Sequence, residues 1–130
     1  MPFNSTYLFP DLEVELVQYF TNVLGEIARI GTKKLPGDQT QDEIVINVSY
    51  SGDKDRTLKY AGVVLDIYSA DYETCTGLAL AAECVLRGSM SSSIKSVDVL
   101  SGPVRMDEPG PAEHRSISAE LVVKATDFIF

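Results

Sequence analysis

His114 is the only histidine of this chain, and Cys75 and Cys84 are its only cysteines. An imidazole can carry protons near neutral pH, and a thiol close to a helix N-terminus can be activated as a nucleophile. Cys75 has that position, just after Asp71, yet the helical wheel turns it into an apolar face, where a structural cysteine is inert. His114 stands beside Arg115 at an expected loop-strand junction and reads either as a surface histidine or as a general base. The adjacent carboxylates Asp107 and Glu108 suit a hard cation, or simply solvent. The longer signatures are missing: there is no Gly-x-Ser-x-Gly elbow, Walker loop, dinucleotide glycine fingerprint or paired-histidine metal motif. One histidine does not make a structural zinc site. The expectation is no catalytic residue, no cofactor and no metal, and a protein that acts through its surfaces.

Composition narrows the class further. Hydrophobic content of 45% and charged content of 23% describe a soluble globular chain rather than a disordered or membrane-spanning one. The longest nearly apolar run, Leu78 to Leu86, is interrupted by Glu83 and is far shorter than the roughly 20 residues needed to cross a bilayer. Met1 to Thr6 lacks the basic start and apolar core of a signal peptide, which places synthesis in a cytoplasm. The net charge of −8 argues against a conventional nucleic-acid-binding surface, which needs clustered Lys and Arg. It fits solubility by self-repulsion, and it also fits a channel through which DNA slides without sticking. Cys75 and Cys84 fall on one expected helix, roughly 13 Å apart along its axis. A disulfide needs Cα atoms within about 7 Å, so both are expected to be reduced.

The elements that must position these residues centre on one strand-helix unit. Leu58 to Ser69 alternates with period two, Ala61, Val63, Leu65 and Ile67 on one face and Tyr60, Val64, Asp66 and Tyr68 on the other. Asp71 then reads as an N-cap, followed by Cys75, Leu78, Ala79, Ala82, Val85 and Leu86 at helical spacing as far as Arg87. An earlier helix starts at Asp11 and ends at Gly25, taken as its C′ glycine. Glu26 to Thr32 reads as a short strand and Glu43 to Ser51 as another. Lys33 to Asp42, with Pro36-Gly37, is loop. The turn Ser51 to Asp55 makes a hairpin with the Leu58 strand. Ile94 to Leu100 is a strand with Ile94 out of phase, ended by Gly102-Pro103. Met106 to Glu113 is loop, and Arg115 to Ala125 is the last strand, with Ile117, Ala119, Leu121 and Val123 on one face.

The order is α-β-β-β-α-β-β. The fold class is α+β: a mainly antiparallel sheet of about five strands with two helices packed on one face. Residues 1–130 form one domain, with an aromatic arm at 1–10 and an apolar tail at 126–130, both expected to be tied to this subunit or to a neighbour. The second helix is weakly apolar on its far side too, at Gly77, Ala81 and Cys84 with Leu80 at the margin. Such a helix is covered on both sides by another copy of the chain, or presents neutral small residues to water.

In order and spacing these pieces resemble the tail terminator (tail completion) proteins of long-tailed bacteriophages. The resemblance runs through Leu65-Asp66-Ile67-Tyr68-Ser69-Ala70, the helix Asp71 to Arg87, and Val97-Asp98-Val99-Leu100-Ser101-Gly102-Pro103. Met106-Asp107-Glu108-Pro109 and Arg115-Ser116-Ile117-Ser118-Ala119 complete it. The chain departs from the pattern in lacking a Trp near Tyr68 and in its longer aromatic arm.

The resemblance implies a non-enzymatic virion protein, assembled in the host cytoplasm as a homohexameric ring at the head-proximal end of the tail. Its partners would be other copies of itself, the major tail tube protein and the head-tail connector proteins. DNA would pass through the lumen without specific binding, and no membrane is involved. Gly77, Leu80, Ala81 and Cys84 are then the expected subunit interface. Gly52, Asp53, Lys54, Asp55, Asp107, Glu108 and Arg115 are the expected tube or connector contacts. The alternatives are another neck protein or, in a different class, a small α+β enzyme or ligand-binding domain using the Arg105 to Arg115 loop.

Overall fold

The computed structural model describes residues 5–8, 11–34, 41–55, 57–107 and 110–129. Pro36-Gly37, Glu108 and Pro109 therefore lie outside the described residues, as do Phe3 and Phe9 of the aromatic arm. The elements run β1 (Ser5–Leu8), α1 (Leu12–Leu24), β2 (Arg29–Gly31), β3 (Glu43–Asp53), β4 (Leu58–Ser69), α2 (Tyr72–Arg87), β5 (Ile94–Met106), β6 (Glu113–Lys124) and β7 (Thr126–Ile129). Five strands form one sheet in the order β2-β3-β4-β6-β5, antiparallel except for the parallel β2–β3 pair. This is the expected α+β architecture, with β1 and β7 added to it.

Alternation decides which side of the sheet the helices cover. Ala61, Val63, Leu65 and Ile67 of β4 are fully shielded, and their register partners on β3 and β6, including Ile44, Ile46, Ile117 and Leu121, share that side. Leu12, Leu16 and Phe20 of α1 and Cys75, Leu78, Ala79, Ala82 and Leu86 of α2 join them in one core cluster. Both helices therefore lie on the same face. The Tyr19 hydroxyl donates to the Gly88 carbonyl at 3.0 Å, tying α1 to the end of α2. Among the described residues the opposite face carries no helix.

Both helix starts follow the sequence. The Asp11 carboxylate accepts from the Val14 amide at 3.2 Å, and the Asp71 carboxylate accepts from the Thr74 amide and hydroxyl, each at 2.9 Å. Each carboxylate satisfies an amide that the helix itself leaves unpaired. Gly25 ends α1, but with a right-handed φ of −63°. Its role is steric rather than conformational, since a Cβ there would lie 2.4 Å from the Thr21 carbonyl oxygen. The amides of Ile27 and Ala28 both bond back to Leu24, so the chain keeps turning past Gly25. That is why β2 starts at Arg29 rather than at Glu26.

Two further boundaries differ from expectation. β3 runs through Ser51 to Asp53, with a bulge between Tyr50 and Gly52 where Gly52 takes a φ of 140°. β5 does not stop at Leu100: it passes through Gly102-Pro103 to Met106. It is an edge strand with register shifts at Ile94/Ser96, Val99/Ser101 and Ser101/Val104. A bulged edge tolerates proline because the missing N–H is not needed by a further strand. The first shift also explains Ile94, which is buried although it is out of phase with Val97 and Val99. Finally, the two termini pair with each other: β1 and β7 form a separate two-stranded antiparallel sheet, with Ser5 opposite Ile129.

Candidate interaction surfaces

The far side of α2 faces outward as the sequence suggests, with one exception. Gly77 and Cys84 are exposed, and Leu80 shows 57% of its surface. Ala81 is half-buried and packs against the core. The exposed strip is therefore Gly77, Leu80 and Cys84, one helical turn apart in succession.

Of the seven residues expected to contact tube or connector, the six that are described do not come together; Glu108 lies outside the described residues. Gly52, Asp53, Lys54 and Asp55 are all exposed at the β3–β4 tip. There the Asp55 carboxylate accepts from the Thr57 amide at 2.8 Å and the Leu58 amide at 3.1 Å, which holds its carboxyl below the usual range. Lys54 Nζ lies 5.6 Å from the centre of the Tyr60 ring. Asp107 and Arg115 lie at the other end of the sheet, since Arg115 pairs with Ile67 while Leu58 pairs with Lys124. Twelve residues of β4 separate the two ends, about 40 Å at a strand's rise.

Asp107 is exposed, but Arg115 is 4% exposed and points to the helix-covered side. Its guanidinium donates to the Thr76 hydroxyl at 3.1 Å and the His114 carbonyl at 3.2 Å, and lies 3.4 Å from the Glu113 carboxylate. It also sits 4.8 Å from the centre of the Tyr72 ring. Arg105, its register partner on β5, approaches the same ring at 5.2 Å and the same carboxylate at 3.3 Å. Arg105 differs in being mostly solvent-exposed. Glu113 is held below the usual carboxylate range, chiefly by its hydrogen bond from Arg105. Arg115 thus clamps α2 to the sheet, and Tyr72 and Arg105 supply the outward surface of this end. The alternation of Ile117, Ala119 and Leu121, continued back by one step, already puts Arg115 on the core side.

The helix-free face carries a constellation that sequence reasoning did not assemble. Arg29, Glu43, Tyr68, His114 and Met106 stand opposite one another in a row across all five strands. Arg29 lies 3.3 Å from the buried carboxylate of Glu43. The His114 ring stacks on Tyr68 at 4.3 Å, and its Nε2 lies 2.8 Å from the Asp66 carboxylate. Lys34 Nζ lies 4.8 Å from the centre of the same Tyr68 ring. Asp66 and Tyr68 were already on one face of β4, but placing His114 against them requires the β4–β6 register. His114 is the second residue of β6, at the loop-strand junction where it is expected.

A histidine-carboxylate pair is the arrangement that orients a general base. Here Nε2 meets the carboxylate in a part-buried position on the helix-free face, beside a stacked tyrosine. Cys75 is buried on the other side of the sheet, its thiol within 3.5 Å of the Ile67 carbonyl and pushed up by burial. Cys75 and Cys84 are both free thiols. Among the described residues no cluster of three or more His, Cys, Asp or Glu side chains is placed to hold a metal, and no helix is long and apolar enough to cross a membrane. A groove of about 280 Å³ lies between α1 and the α2–β5 connection, where Ser91 donates to Glu15 at 3.2 Å. In the Arg105 to Arg115 stretch, Arg105 and Met106 end β5 and Glu113 to Arg115 open β6, with the expected loop between them, of which Glu108 and Pro109 lie outside the described residues.

No protein-family model matches the chain, and no curated protein matches it. Its fold is similar to a solved chain from the virion of a native gene transfer agent particle, with a TM-score of 0.63 at 15% identity. The likeness covers 87% of this chain and 94% of that one. The α+β class that the sequence implies is therefore an architecture also found in a chain of that particle.

Proposed function

We propose that this protein is a structural virion protein, and specifically a tail terminator. In this reading identical copies form a hexameric ring that caps the tail tube, ends its polymerisation and offers a surface to the head connector. The observation that carries the reading is the fold likeness to a gene transfer agent virion chain over nearly the full length of both. The separation of the two candidate contact groups supports it, because a ring between tube and connector needs two faces. The exposed strip of α2 at Gly77, Leu80 and Cys84 supports lateral contact between copies.

A heterologous contact of this kind closes into a ring when the rotation per subunit divides a full turn. Nothing in the mechanism is chemical. One end of the sheet, at Gly52 to Asp55, meets one neighbour in the tail. The other end, with Asp107, Tyr72 and Arg105, meets the next, and Arg115 holds that end in shape. The lumen passes DNA without specific binding, consistent with a net charge of −8.

Deletion of the gene tests this. The expected result is overlong or unjoined tails beside DNA-filled heads in electron micrographs. Normal-length tails that fail only to join heads would instead make the protein another neck component. Joined tails of normal length would remove it from the neck altogether.

A further inference from the structure

The two edges of the main sheet are built differently. The β5 edge is bulged in three places and contains Pro103, devices that prevent another strand from adding to it. The β3 edge is regular from Glu43 to Tyr50, and its one bulge, between Tyr50 and Gly52, lies at the hairpin tip. β2 pairs with β3 only across Glu43 to Val45, and among the described residues nothing pairs with the outer side of β3 beyond that point. The Arg29 amide donates to the Asp42 carbonyl, so in regular alternation the amides and carbonyls of Ile46 and Val48 point away from β4 along this edge. Unpaired amides and carbonyls in a row are a template for another strand.

The chain also owns a ribbon that belongs to no larger sheet. β1 and β7 pair only with each other as a sheet, and each has an outer edge with no strand beyond it among the described residues. Its sequence includes Tyr7, Leu8, Phe128 and Ile129. A lone two-stranded ribbon is marginal in water and gains from a third strand and an apolar surface. It leaves the body beside the hairpin tip, where the Ala125 amide donates to the Thr57 carbonyl. Among the described residues of one chain, no strand pairs with the outer edges of the ribbon or with the outer side of β3 beyond Val45.

We propose that the β1–β7 ribbon of one copy adds to the outer edge of β3 of a second copy, extending its sheet by main-chain pairing. The surface is separate from the α2 strip, and the pairing does not depend on the tail terminator reading. The contact joins unlike surfaces, the ribbon of one copy and the β3 edge of another, and the blunted β5 leaves β3 as the acceptor edge.

The test replaces Ser49, which is exposed on β3, with a benzoylphenylalanine photo-cross-linker in the full chain. Unlabelled and nitrogen-15-labelled copies are mixed before irradiation. The expected products are mixed-isotope cross-links from position 49 to peptides containing residues 5–8 or 126–129. Thr6→Pro, which disrupts the ribbon backbone, should reduce these cross-links and weaken self-association at least tenfold by sedimentation, with an unchanged circular dichroism spectrum. Cross-links confined to single-isotope products, ribbon-free cross-links in an oligomer, or a chain that stays monomeric at about millimolar concentration would each overturn the proposal. None of these outcomes touches the tail-length assay, so the two readings fail separately.

Discussion

Arg105 and Arg115 face the same ring and the same carboxylate, yet they should respond to truncation in opposite ways. Arg115→Ala removes three hydrogen bonds, to Thr76, the His114 carbonyl and the Glu113 carboxylate, and the contact with Tyr72. Hydrogen bonds from a charged donor contribute about 1.5–3 kcal/mol net, and an arginine over an aromatic ring about 0.5–1 kcal/mol. Because Arg115 is almost fully buried, little solvent replaces these contacts, and the expected loss is about 2–4 kcal/mol. Arg105 is exposed, so Arg105→Ala should leave stability unchanged within error. Urea denaturation of the isolated chain, followed by circular dichroism, measures both. Arg115→Lys should recover only part of the loss, because an ammonium cannot stack and fork as a guanidinium does. Equal, small effects at both positions would refute the clamp, and would return Arg115 to the role of a surface contact.

Three other outcomes follow from the same coordinates. Leu80→Lys should keep stability within about 0.5 kcal/mol while reducing self-association about thirtyfold, the equivalent of about 2 kcal/mol at an interface anchor. Ala81 is the poorer probe, because a charged residue there presses on the core as well as on any partner. Asp71→Ala should lower the melting temperature by about 4 °C through loss of the α2 cap. Acid should weaken the fold through Asp55, Asp71 and Glu113, each held below its ordinary value by hydrogen bonds. Depressed carboxylates stabilise above the unfolded values of about 4, and that contribution is lost as pH falls through the lower folded values. Urea midpoints measured from pH 6 down to pH 2 should fall in that window, and a flat profile would contradict the assignments.

The strand-helix unit was legible because three local signals agree: period two ends at Ser69, Asp71 caps, and a helical period follows. Gly102-Pro103 misled because proline and glycine are ordinarily stops, and only the edge position and bulges of β5 let the strand continue. β1 and β7 left no trace, since four-residue strands are too short for a period and each finds its partner at the other end of the chain. The same limit hid the row from Arg29 to Met106. Alternation assigns a face to each residue, but contacts across strands depend on register, and no short motif encodes that.

The place of β6 constrains how the chain can be made. β6 is the last strand of the main sheet to be synthesised, yet it lies between β4 and β5. Until it emerges, β5 has nothing to pair with, and β4 shows an open edge to whatever is nearby. The β3–β4 hairpin and α2 can form early from neighbouring sequence, whereas the sheet closes only when β6 is inserted between two waiting strands. A chain cut short within β6 would therefore lose β5 as well, and would expose a long apolar edge while new copies are still being made.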